Sequence, residues 1–159
     1  MRAAVLTIST SRAAGESGDE SGDGLVRFAE SLGAEVAGRE VITDDRELIT
    51  ARLAHWCDAE GCDLLLTTGG TGFGPRDVTP EATRAVIERE APGIPEAMRA
   101  ASRPHTRHWM LSRAVAGIRG STLIVNFPGS PKSIDEAGEA IAAALPHALD
   151  LLAGKHSMH

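Results

Sequence analysis

Apolar residues fall along this chain either in short unbroken runs or at helical spacing, and the two patterns alternate. Ala3 to Ser9 (AAVLTIS) reads as a buried strand, and Asp63 to Thr68 (DLLLTT) suits a strand buried on both faces. Glu35 to Ile42 (EVAGREVI) makes another strand, and Arg113 to Ile118 and Ser121 to Phe127 make two more around an Arg119-Gly120 turn. Helical spacing appears in Leu25, Phe28, Ala29 and Leu32, in Ile49, Leu53 and Trp56, and in Ala82, Ala85 and Val86 of a helix over Glu81 to Glu90. A short helix is expected over Glu96 to Ser102, after the breakers Pro92, Gly93 and Pro95. The last periodic stretch runs from Ile134 to Leu152, with Pro146 kinking or splitting it. Strands alternating with helices imply an α/β fold with a mostly parallel sheet covered on both faces.

Between these elements lie stretches that belong to neither pattern. Thr10 to Gly24 is rich in Gly, Ser and acids and is expected to be a mobile loop at the carboxyl end of the first strand, where open α/β sheets place ligands. Within it Ser9-Thr10-Ser11-Arg12 offers hydroxyls and a guanidinium to phosphate. Arg103 to Trp109 (RPHTRHW) is basic and irregular, and reads as a solvated or subunit-facing connection rather than a metal site.

The most informative stretch follows the 63–68 run. Gly69-Gly70-Thr71-Gly72-Phe73-Gly74-Pro75 neither continues a strand nor starts a helix cheaply. Thr79-Pro80-Glu81 then opens a helix, with Thr79 as its expected hydroxyl cap and Pro80 at the first helical position. A buried strand, a glycine loop and a helix start together suggest an anion site made of backbone amides, with those of Gly69 to Gly72 cradling phosphate. Neither the P-loop nor the dinucleotide fingerprint is present, because Pro75-Arg76 stands where each pattern needs other residues. Pro128-Gly129-Ser130-Pro131-Lys132-Ser133 repeats the arrangement after the last strand, with Ser130 as N-cap and Pro131 at the first helical position. Lys132 is one of only two lysines against fourteen arginines.

TTGGTG followed by RDVTPEAT resembles the signature of the molybdenum-cofactor biosynthesis family whose members adenylate molybdopterin, and PGSPKS resembles that family's second loop. Arg76, Asp77 and Thr79 match the catalytic branch. The resemblance implies a three-layer α/β/α sandwich, transfer of AMP from Mg-ATP to the terminal phosphate of molybdopterin, and a homotrimer that hands its product to a molybdate-inserting enzyme. It implies binding roles for Ser9, Arg12, Thr68, Gly69, Gly70, Thr71, Gly72, Arg76, Gly129, Ser130 and Lys132, and Mg²⁺ held by Asp44 and Asp77. Asp44 also reads as the cap of the following helix, in a capping box with Glu47. Both readings stand at this point. The family often carries an acid where this chain has Thr10, so no role is transferred there. A noncatalytic molybdopterin carrier or scaffold of the same fold is the alternative.

Composition narrows the partners. A length of 159 residues suits one domain, expected over 1–154 with a frayed tail at 155–159. Five aromatic side chains, no Tyr and a net charge of −6 argue against nucleic acid. No apolar run approaches a membrane span and no signal peptide precedes the first strand, so a cytoplasmic protein is expected. Cys57 and Cys62 are too few for a disulfide framework and read as reduced thiols.

Overall fold

The computed structural model describes residues 1–155. At its centre the apolar run becomes β3 (Leu64–Thr68), buried at every position. It lies between β1 (Arg2–Ile8) and β6 (Thr122–Phe127) and runs parallel to both. β2 (Glu35–Ile42) pairs parallel to β1 at one edge, where its burial alternates. On the other side β5 (Ala116–Arg119) turns back antiparallel on β6, and β4 (Arg89–Glu90) is antiparallel to β5. The order is β2-β1-β3-β6-β5-β4, a mostly parallel sheet as the sequence implies.

The helices are α1 (Thr10–Ala13), α2 (Glu20–Ser31), α3 (Arg46–Asp58), α4 (Thr79–Val86), α5 (Gly93–Ser102), α6 (Pro131–Ile141) and α7 (Leu145–Leu152). They divide between the two faces of the sheet. Val5, Leu64, Leu66 and Val125 share one core with Leu25 of α2, Met98 of α5, Ile134 of α6 and Leu145 of α7. Leu6, Leu65 and Ile124 point the other way, into a core with Ile49 and Leu53 of α3 and Ala82 and Val86 of α4. Successive side chains of a strand alternate in direction, so burial on both faces requires the unbroken apolar run of β3. This is the three-layer α/β/α sandwich. Among the described residues, no helix is long and apolar enough to cross a membrane.

Three local expectations need correction. The stretch 10–24 is not one long loop, because it holds α1 and the first turn of α2. Asp19 caps α2 by accepting from the Gly22 amide at 3.0 Å, and it also accepts from Thr7 Oγ1 and the Arg39 guanidinium. A Cβ on Gly22 would stand 2.1 Å from that carboxylate, so this glycine serves close packing rather than loop freedom. The helix expected over 81–90 stops at Val86, because Arg89 and Glu90 turn extended to pair with β5. Ile87 packs there against Gly117, where a Cβ would meet Ile87 Cδ1 at 2.6 Å. α5 starts at Gly93, before the expected Glu96, since Pro95 sits in its first turn, where a missing N–H costs nothing. Of the expected frayed tail only Lys155 is described, and its amide donates to the Asp150 carbonyl.

Candidate functional site

The site is built where β1, β3 and β6 end side by side. After β3 the chain passes through Gly69 and Gly70 with φ of +96° and +68°. A Cβ on Gly69 would lie 2.3 Å from the Ile8 carbonyl oxygen, and one on Gly70 would lie 2.3 Å from Thr79 Oγ1. Conformation and space both demand glycine at these two positions.

Thr79 is not the helix cap that its sequence context suggests. Val78 occupies the cap position with no side-chain hydrogen bond. Thr79 Oγ1 instead donates to the Gly69 carbonyl at 2.9 Å, and its amide donates to the Gly70 carbonyl at 3.1 Å. The buried threonine therefore ties the start of α4 to the glycine loop. Of the four amides expected to cradle phosphate, that of Gly69 is committed to the Phe127 carbonyl, at 3.4 Å. The amides of Gly70, Thr71 and Gly72 meet no backbone acceptor among the described residues.

Two carboxylates face this loop. Asp44 is not the cap of α3. Asp45 caps it, accepting from the Leu48 amide at 2.9 Å. Asp44 Oδ2 accepts from both the amide and the hydroxyl of Thr10, at 2.9 and 2.8 Å. Its Oδ1 lies 3.5 Å from where a Cβ on Gly70 would stand. Asp77 folds back from the far end of the loop, with Oδ2 accepting from the Gly74 amide at 2.8 Å. That oxygen lies 2.9 Å from the corresponding Cβ positions of both Gly72 and Gly74. Since Asp45 alone caps α3, Asp45→Ala is expected to lower stability by about 1 kcal/mol in a denaturant titration and to leave the site's ligand affinity unchanged.

Asp44 and Asp77 line one polar cavity of about 370 Å³ together with Ser9, Thr10, Ser11, Ala14, Glu16 and Arg76. Arg12, on α1, is not among its lining residues. Ser9 is the N-cap of α1, with its hydroxyl accepting from the Arg12 amide.

The second loop is anchored beside the first. Thr68 Oγ1 donates to the Pro128 carbonyl at 2.7 Å, so Thr68 holds this loop rather than presenting a free hydroxyl. Ser21 Oγ on α2 donates to the Gly129 carbonyl at 2.6 Å. A Cβ on Gly129 would lie 3.7 Å from the Gly69 Cα, which brings the two loops into one neighbourhood. Ser130 caps α6 as expected, and its hydroxyl is 2.6 Å from that of Ser133. Lys132 is exposed on the first turn of α6. A smaller, more apolar cavity of about 160 Å³ adjoins this loop, lined by Met98, His108, Trp109, Pro128 and Ser133 among others.

Sequence reasoning gave Glu81 and Arg113 no part in the site and offered Thr10 only as a hydroxyl for phosphate, whereas its hydroxyl and amide hold Asp44. All three support the site. Arg113 stands 41 residues from Gly72, yet its Nε donates to the Gly72 carbonyl, and no local pattern marks such a contact. Burial alone would raise the Glu81 carboxyl, but the hydrogen bond and charge of Arg113 outweigh it and hold that carboxyl below the usual range. The thiols are unsuited to chemistry at neutral pH, because burial pushes Cys57 up to about 11 and Cys62 up to about 12.

Residues 4–147 match the family described as "Probable molybdopterin binding domain". The chain is 47 % identical over 117 residues to a molybdopterin adenylyltransferase of Helicobacter pylori (strain J99), a match covering 74 % of this chain and 66 % of that protein. It is 41 % identical over 128 residues to the molybdopterin adenylyltransferase of Escherichia coli (strain K12), covering 73 % of this chain and 66 % of that one. It thus spans 66 % of the length of each of these curated relatives. Among solved structures it superposes on the molybdopterin biosynthesis enzyme MoaB of Thermus thermophilus with a TM-score of 0.91, at 46 % identity, over 97 % of both chains.

Proposed function

The chain belongs to the molybdopterin-binding domain family, and from that membership we propose that it transfers AMP from ATP to the terminal phosphate of molybdopterin. The observation that carries this reading is the meeting of two carboxylates from separate loops, Asp44 and Asp77, in one polar cavity beside one glycine loop. The two relatives at 47 % and 41 % identity that are named molybdopterin adenylyltransferases support it.

An oxygen of the molybdopterin phosphate forms a bond to the α-phosphorus of ATP. The bond from that phosphorus to its bridging oxygen breaks, and pyrophosphate leaves with the electron pair. The attacking oxygen is already anionic at neutral pH, so no side chain has to take a proton. The protein's task is alignment and cancellation of phosphate charge. The amides of Gly70, Thr71 and Gly72 are the backbone donors left for phosphate. Arg76 adds a guanidinium to the same cavity. Arg12 and Lys132, outside that cavity, are the groups left to neutralise the second substrate.

The donor set fits Mg²⁺. Among the described residues no three acids, histidines or thiols gather to form a closed metal cage. Mg²⁺ is commonly held by one or two carboxylates with substrate phosphates completing its shell. Asp44 and Asp77 would hold it, and when bound it would draw charge from the phosphate oxygens. A carrier or scaffold needs acceptors at these two places but not their paired negative charge, which favours the enzyme. The proposal includes a homotrimer in the cytoplasm and hand-over of the product to a molybdate-inserting enzyme.

Metal removal tests the reading. Stripping divalent ions with EDTA is expected to stop pyrophosphate release while molybdopterin still binds, and Mg²⁺ is expected to restore release. Full-rate release in EDTA contradicts the role given to the two acids.

A further inference from the structure

Arg113 lies in the segment that leads into β5, far along the chain from the glycine loop, yet it holds that loop at three carbonyls. Its amide donates to the Thr71 carbonyl at 2.9 Å. Its Nε donates to the Gly72 carbonyl and its Nη2 to the Asp77 carbonyl, both at 2.7 Å. Its Nη1 pairs with Glu81 Oε1, on the first turn of α4. One planar group thus spans the loop from Gly72 to Asp77 and fixes it against the helix that follows. Three acceptors in three directions match the fixed fork of a guanidinium, which the single rotating ammonium of a lysine does not reproduce. Glu81 Oε2 is buried with no hydrogen-bond partner, and Arg113 supplies the side-chain hydrogen bond to the other oxygen of that carboxylate.

We infer that Arg113 is the positioning residue of the site: its guanidinium sets the separation between the Gly72 peptide and the Asp77 carboxylate. The inference rests on the reading of Asp77 as a carboxylate that faces ATP and metal. Asp77 Oδ2 reaches back to the Gly74 amide, so its direction depends on where its own backbone is held. Arg113 holds that backbone at the carbonyl. A displacement of about 1 Å in an aligned site costs on the order of 100-fold in rate, which is the scale expected when the fork is lost.

A remote arginine provides the control. Arg119, at the end of β5, makes the same kind of three-way contact, to both oxygens of Asp58 and to the Val86 carbonyl. It is as exposed as Arg113, at 30 % against 32 %. Arg113→Lys and Arg119→Lys should therefore lower the melting temperature by comparable amounts. Only Arg113→Lys should quicken amide exchange across residues 70–77, raise the Mg²⁺ needed for half-maximal turnover, and slow turnover by roughly 100-fold. Millimolar guanidinium should return part of the activity of Arg113→Ala and none to an Asp77 variant. Arg113→Gln is measured alongside, so that poor folding of one variant leaves the comparison intact. Native amide exchange across 70–77 together with a native Mg²⁺ requirement in the Arg113 variants overturns the inference. If the unmodified protein does not adenylate, the reading of the site falls instead, and the exchange measurement still decides whether Arg113 holds the loop.

Discussion

Asp77→Asn is expected to fold, to bind molybdopterin, and to turn over at least about 100-fold more slowly than the unmodified protein. The fold should survive because the loop needs an acceptor at this place, not a charge. Asp77 Oδ2 accepts from the Gly74 amide, and the carbonyl oxygen of Asn can do the same. What Asn removes is half of the negative charge that the two aspartates offer to a cation. Each tenfold in rate is about 1.4 kcal/mol, so a loss of about 100-fold corresponds to roughly 3 kcal/mol, within what a metal-holding carboxylate supplies. The measurement is turnover at several Mg²⁺ concentrations, with molybdopterin binding as the check on folding. Near-native turnover throughout would remove Asp77 from the reaction.

Asp44→Asn carries the second large effect, and here the structure sharpens what sequence left open. Asp45 caps α3, so substitution at Asp44 removes no helix cap. Asn can still accept from the Thr10 amide and hydroxyl, which meet a single oxygen of Asp44. The other oxygen, facing Gly70, becomes an amide nitrogen, which donates hydrogen bonds and cannot ligate a cation. The variant is therefore expected to keep its melting temperature, to lose roughly 10- to 100-fold in turnover, and to recover partly at raised Mg²⁺. Melting temperature and rate on one preparation decide it, and an unchanged rate shows that the carboxylate charge is not used.

How much of this was legible in the sequence depends on whether the cause of each feature is local. β3 could be read because burial on both faces leaves an unbroken apolar run. The start of α6 could be read because a cap is a contact between neighbours, here Ser130 and the Ser133 amide. The caps of the other helices show how narrow that reading is. Asp44 and Asp45 are adjacent acids, either of which suits a cap, and only the direction of the chain leaving β2 assigns the role to Asp45. Thr79 has every local mark of a cap, yet the Gly69 carbonyl ten residues back takes its hydroxyl. The end of α4 was hidden for a related reason, since residues 89–90 become a strand only because β5 lies beside them. Arg113 was the least legible. Its partners Gly72, Asp77 and Glu81 are collected by the fold, and nothing around residue 113 announces them.

The central claim is adenylyl transfer at the cavity shared by Asp44 and Asp77. Its most direct test is incubation of the purified protein with molybdopterin, Mg²⁺ and ATP labelled at the α-phosphate. The account predicts that the label moves into adenylyl-molybdopterin, with one pyrophosphate released for each transfer and none without molybdopterin. Molybdopterin that binds while ATP stays intact at saturating Mg²⁺ would contradict it and leave a carrier in place of an enzyme.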